Sequence, residues 1–430
     1  MKTKQAPFFD ANGFNKCNKI MLSCAFLLFV IGIVFVFSAD NSNISLNSKG
    51  VKQIIFSLWG IITAAFFTIL NYREIASEKI FKAIVVFLMI LLVPLAFYGA
   101  YYRITETTSP NYITTKSGSQ KAVGKELSLK VKIGNQNFGI WRINGAYRWI
   151  ILGPVNFQPS VFLKIVLIIL TALKLSQIPN DDEKRRINFN RKSGETAQFA
   201  SVVKGGLSKN KEIIIFSLTA VLLILIQPSN SVAVSVFFVI LAMFAFKNAK
   251  FVTKILPLFL FAAVFLFVLV WNINPNFRDR IMQGGDNYQS RQAILAIGSG
   301  GILGLGIGNG EAKYNRLPEI ENDYIFAIIA EETGFVGAII FLGIYIWFII
   351  TGFKIAILAE DGFMKLTAFG LTINYAFSFL FHLFVNLGFV STGASLPFVS
   401  YGGTAIIADA IALGILLNIS SSSRYERIRV

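Results

Sequence analysis

The sequence predicts an all-α polytopic membrane protein. It has about ten transmembrane helices, two long extracytoplasmic loops, and both termini cytoplasmic. Three observations carry this. Hydrophobic residues fill 54% of 430 positions, with a mean hydropathy of +0.62, more apolar than ordinary soluble domains. The apolar residues come in blocks of about 20, the length that crosses roughly 30 Å of hydrocarbon. Lysines and arginines fall mostly between the blocks, and those of the N-terminal arm, 71–79, 175–211, 247–254, 354–365 and the C-terminal end share one side if every block crosses.

In order, the blocks are 20–38, 53–70, 80–101, 157–173, 212–227, 231–246, 252–272, 335–352, 366–389 and 402–420. The first has no small-residue cleavage pattern and reads as a retained helix. The fourth opens on a polar FQPS, with Pro159 suited to a first helical turn. The fifth and sixth are short and flank QPSNS, so either both cross or the pair dips in and returns. A polar break at that depth is tolerated only against protein or a wet cavity. Between blocks four and five, the loop 175–211 carries eight basic residues, and the positive-inside rule makes it cytoplasmic. The whole chain, 1–430, reads as a single transmembrane domain. Its extracytoplasmic loops are about 102–156, read as polar and mobile around SPNYITTKSGSQKAVGKE, and about 273–322, Gly-rich and charged. The first is itself basic, which suits an anionic ligand.

Several function classes drop out. The net charge of +17 is explained by orientation and anionic headgroups, and no basic run interleaved with aromatics calls for nucleic acid. Cys17 and Cys24 give neither a disulfide framework nor metal spacing. No internal repeat supports a transporter of duplicated halves. His382 is the only histidine, so no His-based triad exists elsewhere, and it reads as a buried, hydrogen-bonded residue.

Three stretches carry chemistry. The segment LPEIENDYIFAIIAEETGFVG places five carboxylates (Glu319, Glu321, Asp323, Glu331 and Glu332) within fourteen residues, at the mouth of a membrane helix. Asp323 stands where Asp is a common N-cap. Yet ionisable groups at membrane depth are costly, which makes function the default hypothesis. A carboxylate in a partly desolvated cleft becomes a competent general base. GSGGILGLGIGNG (298–310) has seven glycines in thirteen residues. It is either a flexible connector or a place where backbone N–H groups approach an anion or sugar closely. In block four, Lys164 either snorkels to the interface or pairs with Asp323 or a substrate phosphate. Asp409, inside the last block, reads equally as a helix-packing contact or a relay group.

Four stretches together resemble the SEDS family (shape, elongation, division and sporulation), which includes FtsW and RodA. They are GAYRWIILGPVNFQPS (145–160), YQSRQAILAIGSGGILGLGIGNG (288–310), LPEIENDYIFAIIAEETGFVG (317–337) and NLGFVSTGASLPFVSYGG (386–403). They occur in the family's order, and GIGNGEAKYNRLPE looks more like the FtsW branch. The resemblance implies a peptidoglycan glycosyltransferase that polymerises lipid II at the outer face of the bacterial cytoplasmic membrane, in division or elongation. It implies a class B penicillin-binding protein as partner, among other divisome or elongasome proteins. Asp323 matches the family's essential Asp. Glu319, Glu331 and Glu332 match family-typical positions, and Lys164 matches the Lys after QPSE. Around Asp323, the candidate substrate contacts are Lys164, Arg148, Gln158, Ser160, Glu319, Arg291, Ser400 and Gly402, with Glu331 and Glu332 in support. Two family acids are absent, because Val161 stands where QPSE has Glu and Ser229 where QPD has Asp.

The mechanism this implies is inverting transfer, with Asp323 taking a proton from the acceptor 4-hydroxyl. A leaving pyrophosphate needs positive charge, with Lys164, Arg148, Arg280 and Arg291 as candidates, or a divalent cation such as Mg2+ or Mn2+. Two rivals of other classes are a lipid-linked precursor flippase, using Lys164, Glu331, Glu332 and Asp409 as stepping charges, and a non-catalytic scaffold.

Overall fold

The computed structural model describes residues 11–40, 45, 48–70, 77–108, 111–114, 120–123, 128–133, 136–140, 147–153, 155–177, 196–227, 229–247, 288–314, 317, 319–390 and 392–428. The expected span 252–272 and Arg280 lie outside them. Eight described helices are long and apolar enough to cross a membrane, and the chain is a multi-pass helical membrane protein. It divides into two compact units, residues 1–77 with 285–430, and residues 78–284.

The first unit holds α1 (Ala11–Ala39), α2 (Lys49–Ile69), α7 (Tyr288–Ser299), α8 (Ile325–Leu358), α9 (Gly362–Asn386) and α10 (Gly403–Ile428). Lipid tails are as apolar as leucine, so small residues that admit close approach decide which helices meet. A Cβ on Gly60 would lie 3.0 Å from Ile406, and one on Gly414 would lie 2.7 Å from Phe67, so α2 and α10 pack backbone to backbone. Cys17 and Cys24 are buried, unpaired fillers on α1. The loop between α9 and α10 is no surface tether. Leu396, Phe398 and Val399 are buried, and the Phe398 ring packs within 5.5 Å of Phe29, Phe348 and Tyr375. Stacking of Tyr345 on Phe379, 4.2 Å apart, extends this aromatic core along α8 and α9.

The second unit holds α3 (Glu78–Thr108), six strands, α4 (Pro159–Ser176), α5 (Thr196–Ile226) and α6 (Asn230–Lys247). The segment read as mobile contains strands. β1 (Asn111–Thr114) pairs with β2 (Gln120–Val123), and β3 (Leu129–Ile133), β4 (Gln136–Ile140), β5 (Ile150–Leu152) and β6 (Val155–Phe157) form an antiparallel meander. Alternation in LSLKVKI, followed by Gly-Asn, is the period-two signal for that hairpin. The polar break after α5 faces protein. Gln227 and Ser229 are buried, and the Gln227 amide donates to the Leu92 carbonyl of α3 at 3.1 Å.

One charged cluster escaped the sequence reading. Lys174 of α4 is fully buried and pairs with Glu78 of α3 at 3.0 Å and with Glu212 of α5. Lys82 closes the ring, 2.9 Å from Glu78 and 2.6 Å from Glu212. A buried ammonium without such partners would cost several kcal/mol.

Candidate active site

The expected span 335–352 is the second part of a longer, interrupted helix. α8 starts at Ile325 and breaks at Gly334, where φ is +68° and ψ −169°. Its 34 residues would run about 51 Å, well beyond the hydrocarbon thickness. Residues 335–358 suffice to cross, and 325–333 form an added half-helix with Asp323 just before it.

A broken helix leaves carbonyls and N–H groups unpaired, which lipid cannot satisfy. The glycine-rich turn after α7 supplies the partners. Leu305 and Gly306 donate to the carbonyls of Glu331 and Glu332, each at 3.0 Å. Phe335 and Val336 donate to the carbonyls of Gly301 and Ile302, at 2.9 and 3.2 Å. Glycine is required for this approach: a Cβ on Gly304 would fall 2.6 Å from both the Glu332 carbonyl carbon and the Gly334 nitrogen.

The same turn settles where Glu331 and Glu332 act. Both are buried. Glu331 accepts the N–H groups of Glu311 at 2.9 Å and Ala312 at 3.2 Å. Glu332 accepts those of Gly308 at 3.0 Å and Gly310 at 3.3 Å, with Ser38 and Lys313 also on its carboxylate. The backbone donors do meet an anion, as the glycine pattern suggested, and that anion is the chain's own carboxylate pair. The turn 298–310 is thus clasped to α8 through Glu331 and Glu332 rather than being a free connector.

Asp323 sits in a turn fixed from several directions. Glu319, at a left-handed φ of +56°, accepts the N–H groups of Asn322 and Asp323 at its carbonyl, both at 3.0 Å. Its carboxylate accepts the Asn322 amide at 2.6 Å, so Glu319 shapes the turn. Glu321 is buried and pairs with Lys49 at the start of α2, and its carbonyl accepts the Tyr401 N–H at 2.9 Å. Ser400 donates to the Asn322 carbonyl at 2.6 Å. Asn386, at the end of α9, donates to the Asp323 carbonyl at 3.0 Å and accepts the Ala327 N–H at 3.1 Å. The N-cap of α8 is Tyr324, without a side-chain capping bond, so the N-cap role anticipated for Asp323 is not what the structure shows. The Asp323 side chain stays half-buried at the mouth of the helix. Burial pushes the neighbouring Tyr401 hydroxyl above its ordinary pKa, so it remains neutral near pH 7.

The other candidates divide between the units. Arg291 lies exposed on α7, and Gly402 immediately precedes α10; both share the first unit with Asp323. Arg148, Gln158, Ser160 and Lys164 belong to the second unit. Gln158 is the N-cap of α4 and its amide donates to Ser160 at 3.3 Å, while Lys164 is buried one turn further along. Val161 is half-buried on α4, and Ser229 is buried at the QPSNS break. His382 is fully buried with Nδ1 2.6 Å from the Ala394 carbonyl, as expected of a bonded core residue. The backbone carbonyl of Asp409 accepts the Tyr375 hydroxyl at 2.6 Å, a packing contact between α9 and α10. Among the described residues, no three His, Cys, Asp or Glu side chains gather as a metal-holding group. Sequence reading missed Lys49 and Asn386. Asn386 was legible only as a member of the NLGF stretch, and Lys49 carried no signal beyond its charge.

Comparison with known proteins places this arrangement. Residues 133–425 match the model of the FtsW, RodA and SpoVE family, described as cell cycle proteins. A probable peptidoglycan glycosyltransferase FtsW from Thiomicrospira cyclica is 33% identical over 292 residues, covering 66% of this chain and 70% of that protein. Stage V sporulation protein E of Bacillus subtilis is 31% identical over 293 residues, covering 66% and 73%. A chain from a peptidoglycan synthase complex that coordinates polymerisation and crosslinking shares the fold. Its TM-score is 0.61 and its identity 21%, and the match covers 94% of this chain and 98% of that one.

Proposed function

This chain belongs to the FtsW/RodA/SpoVE family of cell cycle proteins, and from that premise we propose that it is a peptidoglycan glycosyltransferase polymerising lipid II. The observation that carries the reading is the placing of Asp323. A half-buried carboxylate stands at the mouth of a membrane helix, on a backbone fixed by α9, by the loop before α10 and by its own turn. That is where sugar headgroups arrive while lipid tails stay in the bilayer.

In this reading Asp323 accepts the proton of the acceptor 4-hydroxyl. The oxygen attacks the anomeric carbon of the donor, the bond from that carbon to the pyrophosphate breaks, and undecaprenyl pyrophosphate leaves with the electron pair. Configuration inverts in the single displacement. One base and one good leaving group suffice, so no second carboxylic acid is needed, in contrast to glycosidase pairs. Lys164, Arg148, Arg280 and Arg291 are the proposed counter-charges for the pyrophosphate. A Mg2+ or Mn2+ would supply further positive charge to the leaving pyrophosphate, although among the described residues no three His, Cys, Asp or Glu side chains gather to hold one.

The proposed setting is the outer face of the bacterial cytoplasmic membrane, with a class B penicillin-binding protein crosslinking the strands this chain makes. The FtsW name of the Thiomicrospira relative supports a division role, and the synthase-complex neighbour supports a crosslinking partner. The test is purified protein, alone and with its transpeptidase, supplied with lipid II. A glycan ladder that disappears in Asp323→Asn is expected. An Asp323→Asn chain that polymerises at near wild-type rate would overturn the reading. Translocation of fluorescent lipid II in sealed vesicles without polymer would replace it with a flippase.

A further inference from the structure

We propose that Gly393 and Asn386 are positioning residues for the Asp323 carboxylate: one leaves the space it occupies, and the other fixes the backbone that carries it. The proposal rests on the reading of Asp323 as the base.

Gly393 lies in the loop between α9 and α10. A Cβ built on it would lie 2.9 Å from Asp323 Cγ and 3.1 Å from Oδ1, and nearer still to Oδ2. The three nearest atoms thus all belong to that one carboxylate. The backbone of Gly393 is outside the left-handed region, so any residue could adopt it. What glycine supplies here is room for the carboxylate. This separates it from Gly304 and Gly334, whose φ values of +81° and +68° demand glycine for conformation as well.

Asn386 is fully buried and all its side-chain bonds are directional. Its Oδ1 accepts the Ala327 N–H, and its Nδ2 donates to the carbonyls of Asp323 at 3.0 Å and His382 at 2.8 Å. His382, one turn earlier on α9, holds the Ala394 carbonyl, the residue after Gly393. A single turn of α9 therefore grips both sides of the gap: the Asp323 backbone through Asn386, and the loop beneath the carboxylate through His382. The carboxylate lies against Gly393 between these two held segments, so a group added at position 393 must displace it.

The decisive variant is Gly393→Ala. The atoms it displaces are the end of one side chain, so the protein folds while the carboxylate moves by about 1 Å to restore ordinary contact. A displacement of that size at the reacting centre costs on the order of 100-fold in rate. The experiment measures lipid II polymerisation by wild type, Gly393→Ala, Asp323→Asn and the double variant, each as the purified full chain with its transpeptidase. The expected result is a roughly 100-fold lower kcat for Gly393→Ala, with KM within about 2-fold. The double variant should be no worse than Asp323→Asn alone. Wild-type kcat in Gly393→Ala, while Asp323→Asn is inactive, would overturn the positioning claim and leave the base reading intact. Raised KM at unchanged kcat would reassign Gly393 to substrate binding. An unfolded Gly393→Ala chain would also refute the proposal, which requires only a side chain to yield. Activity in Asp323→Asn would instead remove the base reading beneath it.

Discussion

Replacing Glu331 with alanine tests whether the buried carboxylates of α8 are structural clasps or titrating participants. The change removes the acceptor for the N–H groups of Glu311 and Ala312, at 2.9 and 3.2 Å. Hydrogen bonds to a charged acceptor contribute about 1.5–3 kcal/mol each, so the gross loss is about 3–6 kcal/mol. Glu311 is exposed, so water recovers part of it, and the lower end, about 3 kcal/mol, is expected for local opening of the turn. At 1.4 kcal/mol per decade, that is on the order of 100-fold faster amide exchange. Hydrogen exchange read by mass spectrometry on peptides covering residues 305–314, in lipid nanodiscs, measures it. Glu331→Gln keeps an acceptor oxygen and should show a much smaller change. Unchanged exchange across 308–312 in Glu331→Ala would refute the clasp.

Three further outcomes follow from the same geometry. Gly304→Ala combines a φ of +81° with a Cβ 2.6 Å from backbone atoms on both sides of the α8 break. It should cost about 3 kcal/mol or more, seen as loss of monodisperse protein in size-exclusion chromatography. Lys174→Ala leaves Glu78 and Glu212 sharing Lys82. Because those two side chains are 29% and 36% exposed, the cost should be about 2 kcal/mol, below the range for a sealed pair, read as a lower melting temperature. Glu321→Gln breaks the pair with Lys49, whose side chain is 49% exposed, and should change stability by under about 1 kcal/mol. A larger loss in thermal melts would show that Glu321 does more than pair with Lys49.

The sequence by itself determined the class of molecule and most of its helices. Block length and apolarity are local properties, and membrane solvent leaves the backbone little choice but helix, so blocks such as 20–38 and 231–246 reappear as the cores of α1 and α6. The group of five carboxylates stood out for the same reason, since acids beside a long apolar run have a cost that shows in one dimension, but Asp323 was singled out among them only by the family resemblance. The β meander was half-legible: its alternation was present, but a polar loop hid it. Only the tertiary structure decided what the acids near Asp323 do. In sequence Glu331 and Glu332 are only two more acids at membrane depth. They prove to satisfy amides of a glycine turn some twenty residues earlier, a demand created by the α8 break. The grip of Asn386 on Asp323 spans 63 residues, and the room left by Gly393 is an absence of atoms. Neither has a local signature, because each exists only once two distant segments are brought within hydrogen-bonding or van der Waals distance.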